Sequence, residues 1–325
     1  MKTSQLTRQY DVGVVVVGMN AREFVRGCFA SLARTDWRTY THRAVYVDNG
    51  STDGTVEMMR EKFPQVLLVA NDKNLGYCVA ANQGARLVDA RHLLFLNDDT
   101  VFSGDVIPIL VEYMDANPEV ATAGARLIFP DGKEQWSGRR WPNFASSFLG
   151  RRSGLSKVFP RLPTVQSYLC KQELSLGKPF DCDWVSAAGQ IVRTPDFWSV
   201  GGFAEDYYYW HEMVICLRLK RRGRRVVLIP AATIIHFEGQ GSGPRPFKRQ
   251  QFHIVDFHRG AFRAYLEQHT LQWYSPRALL VGAALFARGT ALLGLARLRT
   301  LFIPTLPAHA APVFSPPIAR GSNGK

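Results

Sequence analysis

Four short runs of unbroken apolar residues mark the first third of the chain: Val12 to Val17, Ala44 to Val47, Val66 to Ala70 and Leu93 to Leu96. Between them lie stretches such as Glu23 to Leu32 and Val56 to Phe63, whose apolar positions recur at helical spacing. A strand buried on both faces reads as a continuous apolar run, and parallel neighbours need a crossover long enough to hold a helix. The alternation therefore predicts a parallel sheet with helices on both faces. In an open sheet of this kind, ligands bind where loops leave the carboxyl ends of the strands. The loops at those places are polar: Gly18-Met19-Asn20, Asp48 to Gly54, Asn71 to Gly76 and Asn97-Asp98-Asp99-Thr100. Such residues also make turns and helix N-caps, but four of these loops meeting at one crevice point to a site.

From Phe129 to Phe180 the periodicity fades into a region with Trp136, Trp141, Phe144, Phe148, Arg151 and Arg152. Loops this long inside a domain serve as lids or binding surfaces. Asp183 to Arg193 reads as one strand with Ser186-Ala187-Ala188-Gly189 at its centre. It is followed by Gly201-Gly202-Phe203, a helix from Trp210 to Arg222, a strand from Val226 to Ile229, and Ile234-Ile235-His236. The last apolar stretch, Ser275 to Ile303, carries Arg277, Arg288 and Arg299 three helical turns apart, on one face. A charge near the middle disfavours a spanning helix and predicts an amphipathic one lying in the membrane interface. A terminal hairpin folded on the domain, or joining a homodimer, is the alternative. Beyond Pro304 the Pro-, Ala- and Gly-rich composition predicts disorder.

Composition narrows this picture. A chain of 325 residues holds one large α/β domain and an appendage. Its five cysteines form no C-x-x-C pair and, being odd in number, cannot all be paired, which predicts a reducing, cytoplasmic compartment. A formal charge of +13 calls for an anionic partner: nucleotide phosphates, an acidic membrane surface or nucleic acid. No acidic residue follows Glu267, so part of the excess belongs to the tail. The basic cluster Arg218 to Arg225 accompanies no nucleic-acid motif and no interleaved aromatic platform. Acids in the crevice also oppose a nucleic-acid partner, and none is expected.

The sharpest chemical signal is the strand Leu93 to Leu96 running into Asn97-Asp98-Asp99. If the strand stays extended, its two-residue alternation puts Asn97 and Asp99 on one side and Asp98 on the other. A hard Mg²⁺ or Mn²⁺ ion takes oxygen ligands, typically one or two carboxylates plus substrate phosphates. An N-cap is the competing use of these residues.

Taken in order, Asp48 to Gly54, Asn74-Leu75-Gly76-Tyr77 with Ala81-Asn82, Asn97 to Thr100 and Gly201-Gly202-Phe203 resemble family 2 glycosyltransferases of the GT-A fold. The resemblance runs from Val12 to His236 and is closest to the rhamnosyltransferase-like branch that builds bacterial surface polysaccharides. It implies an α/β, Rossmann-like, mostly parallel central sheet with helices on both faces. The catalytic domain would span 1–268, with a nucleotide-binding part over 10–128 and an acceptor side over 129–268, then a helical tail over 269–303 and a disordered end over 304–325.

The implied reaction is inverting transfer of rhamnose or a hexose from a dTDP or UDP donor to a hydroxyl of a polysaccharide or lipid-linked glycan, aided by Mn²⁺ or Mg²⁺. The implied place is the inner face of the cell membrane. By the same resemblance Asp48, with Asn20 beside it, meets the donor's base, and Asn74 and Gly76 lie along the nucleotide. Asn82 sits behind them or is a buried structural amide. Asn97, Asp98 and Asp99 form the Asp-x-Asp element, with Asp99 the direct metal ligand and Asn97 and His236 further candidates. Ser186 lines the sugar pocket, and the Gly239 to Gly243 loop after His236 closes over the donor. A carboxylate base is also required. Glu212 is the candidate, with Glu205 and Asp206 as alternates. The family's paired acids are reduced here to Glu212 alone, which also suits an inactive member of an assembly complex.

Overall fold

In a computed structural model, residues 8–102, 104–142, 162–238 and 247–302 are described. The expectations for Phe144, Phe148, Arg151 and Arg152, for the Gly239 to Gly243 loop, for the Arg299 side chain and for the end beyond Pro304 lie outside the described residues.

The chain begins β1 (Tyr10–Gly18), α1 (Arg22–Ala33), β2 (His42–Asp48), α2 (Thr55–Lys62), β3 (Leu67–Ala70), α3 (Tyr77–Arg86) and β4 (Ala90–Asn97). It continues through β5 (Thr100–Phe102), α4 (Val106–Ala116), β6 (Val120–Ile128), β7 (Gly138–Arg139), α5 (Pro163–Tyr168), α6 (Lys171–Ser175), β8 (Phe180–Asp181), β9 (Trp184–Val185) and β10 (Gly189–Arg193). The last elements are α7 (Thr194–Ser199), α8 (His211–Arg221), β11 (Arg225–His236), α9 (Phe247–His269) and α10 (Pro276–Phe302). The main sheet runs β3-β2-β1-β4-β10-β6-β11-β5, with β8 also on β11. Its first four strands are parallel. Alternating side chains feed two hydrophobic layers: Val14 and Val16 enter one, Val15 and Val17 the other. This is the mostly parallel, helix-covered α/β sheet that the sequence predicts.

Three local expectations change. The single strand over Asp183 to Arg193 is two: β9 pairs with β7, whereas β10 enters the main sheet antiparallel to both β4 and β6. The chain must turn at Ser186 to Ala188 to change sheets. It crosses β6 so closely at Gly124 that a Cβ there would lie 2.6 Å from Val185 Cβ. The two short strands expected at Val226 to His236 are one, β11, with a register shift between Ile229 and Thr233 around Pro230. Proline fits there because a bulge does not need its missing N–H. Finally, β4 stops at Asn97, and Asp98-Asp99 form a tight turn into β5 rather than continuing extended.

The tail takes the hairpin form, one of the two alternatives the sequence leaves open. α9 and α10 form a hairpin in which arginines of α10 lie over α9 aromatics: Arg277 over Tyr265, Arg288 over Phe257 and Arg297 over Phe247. The outward face is apolar, with Leu280 67% and Phe286 76% exposed. On the arginine-bearing face Arg277 and Arg297 remain exposed and Arg288 is half-buried. Pro276–Leu298 is long and apolar enough to cross a membrane by length and composition.

Candidate active site

The loops after β1 and β2 are tied together before they reach any ligand. Asn20, at φ 53°, donates its N–H to Ser51 Oγ at 2.8 Å and accepts the Thr52 N–H on Oδ1 at 2.7 Å. Asp48 is fully buried, and its carboxylate accepts the N–H groups of Gly50 (3.0 Å) and Ser51 (2.7 Å) and the Ser51 hydroxyl. Asn74 Oδ1 accepts the Gly76 N–H at 2.8 Å, and the Gly76 carbonyl accepts from Asn49 Nδ2 at 3.3 Å. Of these, Asn49 and Asn74 line a cavity of about 530 Å³ at the carboxyl ends of the strands, whereas Asn20, Asp48 and Gly76 are not part of its lining.

Asn82 takes the structural role. Its amide is buried and clamps the turn before α8, accepting the Phe203 N–H at 3.0 Å and donating to the Phe203 carbonyl at 2.9 Å. Asn82→Ala removes both bonds and strands two buried backbone groups. We expect a loss of about 3 kcal/mol, seen in denaturant unfolding as a lower midpoint at unchanged slope. An unchanged midpoint would show the clamp to be dispensable.

At the floor of the cavity, the tight turn and the pairing of Thr100 with His236 bring Asn97, Asp99 and His236 together. The hydrogen bonds fix the imidazole. Gln135 Nε2 donates to the His236 carbonyl at 2.6 Å, which orients the amide so that its oxygen faces His236 Nδ1 at 2.7 Å. Nδ1 then carries a proton, and Nε2 lies 3.2 Å from Asn97 Nδ2. Asp99 Oδ1 lies 3.1 Å from that same Nε2 and is buried with no hydrogen-bond partner among the described residues. A contact this close needs a positive charge, supplied either by a second proton on the imidazole, which makes an ion pair, or by a metal cation held between the two atoms. No three His, Cys, Asp or Glu side chains converge as a closed metal cage among the described residues. The donor set therefore fits an ion whose remaining ligands come from a diphosphate. Asp98 lines the cavity beside them and accepts the Met19 N–H; desolvation and the adjacent Asp99 push its carboxyl well above the usual range.

The opposite wall is the start of α8. Glu212, in its first turn, accepts the Ser186 hydroxyl at 3.4 Å, and both line the cavity. Trp210 precedes it at φ 72°, a conformation costly for a bulky residue, and is held there by its indole N–H donating to the Phe257 carbonyl at 3.0 Å. His211 stacks on Tyr77 with ring centroids 4.9 Å apart, and burial holds its pKa down. Glu205 and Asp206 lie outside the cavity lining: Glu205 accepts from Asn82 at 3.0 Å, and Asp206 pairs with Arg263. Gln135, Ser137 and Arg139 also line the cavity and were not among the sequence candidates. Their only trace in the sequence is a polar residue at every second position.

A doubly wound sheet with an acidic turn after β4, opening on a cavity that also holds a carboxylate at the start of α8, defines a GT-A type glycosyltransferase. The chain belongs to glycosyl transferase family 2, whose family model matches residues 13–175. It is 28% identical over 251 residues to the N-acetylglucosaminyl-diphospho-decaprenol L-rhamnosyltransferase of Mycobacterium tuberculosis, covering 73% of this chain and 79% of that one. It is 26% identical over 155 residues to the rhamnosyltransferase WbbL of Escherichia coli, covering 47% of this chain and 54% of that one. The mannosyltransferase PcManGT of Pyrobaculum calidifontis, solved in complex with GDP-Man and Mn²⁺, matches with a TM-score of 0.52 at 18% identity, covering 92% of this chain and 83% of that one. That last likeness is one of fold.

Proposed function

We propose that the enzyme transfers rhamnose, with inversion, from a thymidine diphosphate donor to a hydroxyl of a lipid-linked glycan. The observation that carries this reading is that Glu212 shares one cavity with the Asn97–Asp99–His236 corner. The rhamnosyltransferase names of two relatives support the choice of sugar. Asp99 and His236, with Asn97 beside them, would hold a Mn²⁺ or Mg²⁺ ion, which when bound neutralises charge on the diphosphate.

The remaining steps belong to the protein. Asn74 and Asn49 border the nucleotide end of the cavity, while Asp48 and Asn20 brace the loops behind it. Ser186 positions the Glu212 carboxylate beside the acceptor. Glu212 takes the acceptor's hydroxyl proton as that oxygen bonds to the anomeric carbon and the carbon–oxygen bond to the diphosphate breaks on the other face. Inversion follows from this one-step displacement.

The outward apolar face of α10 and the +13 charge support seating on an anionic membrane surface. Five free, buried thiols support a reducing compartment. The test is to incubate the full chain with dTDP-β-L-rhamnose, Mn²⁺ and a lipid-linked acceptor and to read the product's anomeric configuration by NMR. An α-linked product supports the reading; a β-linked product, or no transfer from this donor, overturns it.

A further inference from the structure

Between α9 and α10 a narrow apolar slot of about 60 Å³ is walled by Trp210, Met213, Phe257, Ala264, Val281 and Leu285. Pro142, Trp210, Phe257 and Arg288 line this slot and also the catalytic cavity, so the two share a mouth. Arg288 stands at that mouth, half-buried. Its Nη1 donates at 2.7 Å to His258 Nε2. His258 can accept there because its Nδ1 proton is given to the Ile254 carbonyl at 2.7 Å, so the imidazole is neutral. Among the described residues Arg288 forms no ion pair, whereas Arg218 and Arg224, also partly buried, are matched by Glu267 and Asp196. A cation drawn out of water without a counter-ion is costly. A guanidinium fork in this state is matched by phosphate oxygens. The same helix presents Leu279, Leu280, Phe286, Leu295 and Leu298 on its outer face, which leads an apolar chain toward the slot.

We propose that Arg288 and the slot form the lipid-diphosphate subsite of the acceptor. The slot takes the first units of a linear isoprenoid chain, and Arg288 takes the diphosphate that joins the chain to its sugar. The sugar hydroxyl is thereby delivered into the cavity toward Glu212. This subsite rests on the lipid-linked acceptor named under the function above. Its slot suits an apolar chain, because aliphatic and aromatic side chains make up most of its lining.

The test is calorimetric titration of the full chain with farnesyl diphosphate in EDTA, which removes divalent metal from the donor corner. Arg288→Gln is expected to weaken binding about 10- to 100-fold. Ala284→Trp, which fills the slot and leaves the cation in place, should weaken it similarly and keeps the question answerable if Arg288→Gln does not fold. Inorganic pyrophosphate should bind at least about tenfold more weakly than farnesyl diphosphate, since it lacks the chain. Farnesyl diphosphate binding that neither variant changes, or pyrophosphate binding as tightly as the prenyl compound, overturns the subsite. Thymidine diphosphate with Mn²⁺ is titrated in parallel, and Ala284→Trp, at a position that lines the slot and not the catalytic cavity, should not alter it. If wild type binds farnesyl diphosphate through Arg288 but no thymidine nucleotide, the donor reading falls and the subsite stands.

Discussion

Asp99→Ala abolishes turnover, with kcat/KM falling at least about 10³-fold, and removes the metal dependence of donor affinity in the same variant. The two effects should travel together because Asp99 Oδ1, 3.1 Å from His236 Nε2, lines the cavity in the corner where an ion would meet the diphosphate. A metal that neutralises a leaving diphosphate contributes several kcal/mol to the barrier, and about 4 kcal/mol corresponds to a factor of roughly 10³. Steady-state kinetics against Mn²⁺ concentration, with calorimetry of donor binding, checks both halves. A variant that keeps metal-dependent donor affinity but loses turnover would place Asp99 in the chemistry instead of the metal site.

Glu212→Gln separates binding from chemistry. The amide is isosteric and can still accept the Ser186 hydroxyl, so the start of α8 and the cavity wall should persist. It cannot take a proton from the acceptor. Loss of a positioned general base lowers kcat by about 10²- to 10⁴-fold, and donor affinity should stay within about twofold. Neither Glu205 nor Asp206 can substitute, because both are outside the cavity lining and held by other residues. Turnover within tenfold of wild type would remove Glu212 from the role of base.

The parts of this fold that sequence reveals are those whose burial leaves a periodic mark. β1, β2, β3 and β4 are legible because a parallel strand covered on both faces must be apolar at every position, as Val14 to Val17 are. β10 is harder to place. Nothing in Gly189 to Arg193 says that it inserts antiparallel between β4 and β6, since its partners lie far away in the chain. Asn97 and Asp99 do lie together, but through a turn set by β5 pairing with β11 and not through extended alternation.

Gln135 is obscure for a related reason. It acts by fixing a histidine a hundred and one residues away, and a lone buried amide carries no local signature. The tail shows the limit most clearly. Eleven-residue spacing puts Arg277 and Arg288 on one face, but nothing in it says that aromatics of α9 lie beneath them.

The most direct measurement is a thermal-shift comparison of the full chain with thymidine diphosphate, with and without Mn²⁺. A site in which Asp99, His236 and the diphosphate share one ion predicts an upward shift on the order of 5 °C near saturation with the metal present, and little or none in EDTA. Equal stabilisation with and without metal, or none in either case, would contradict it.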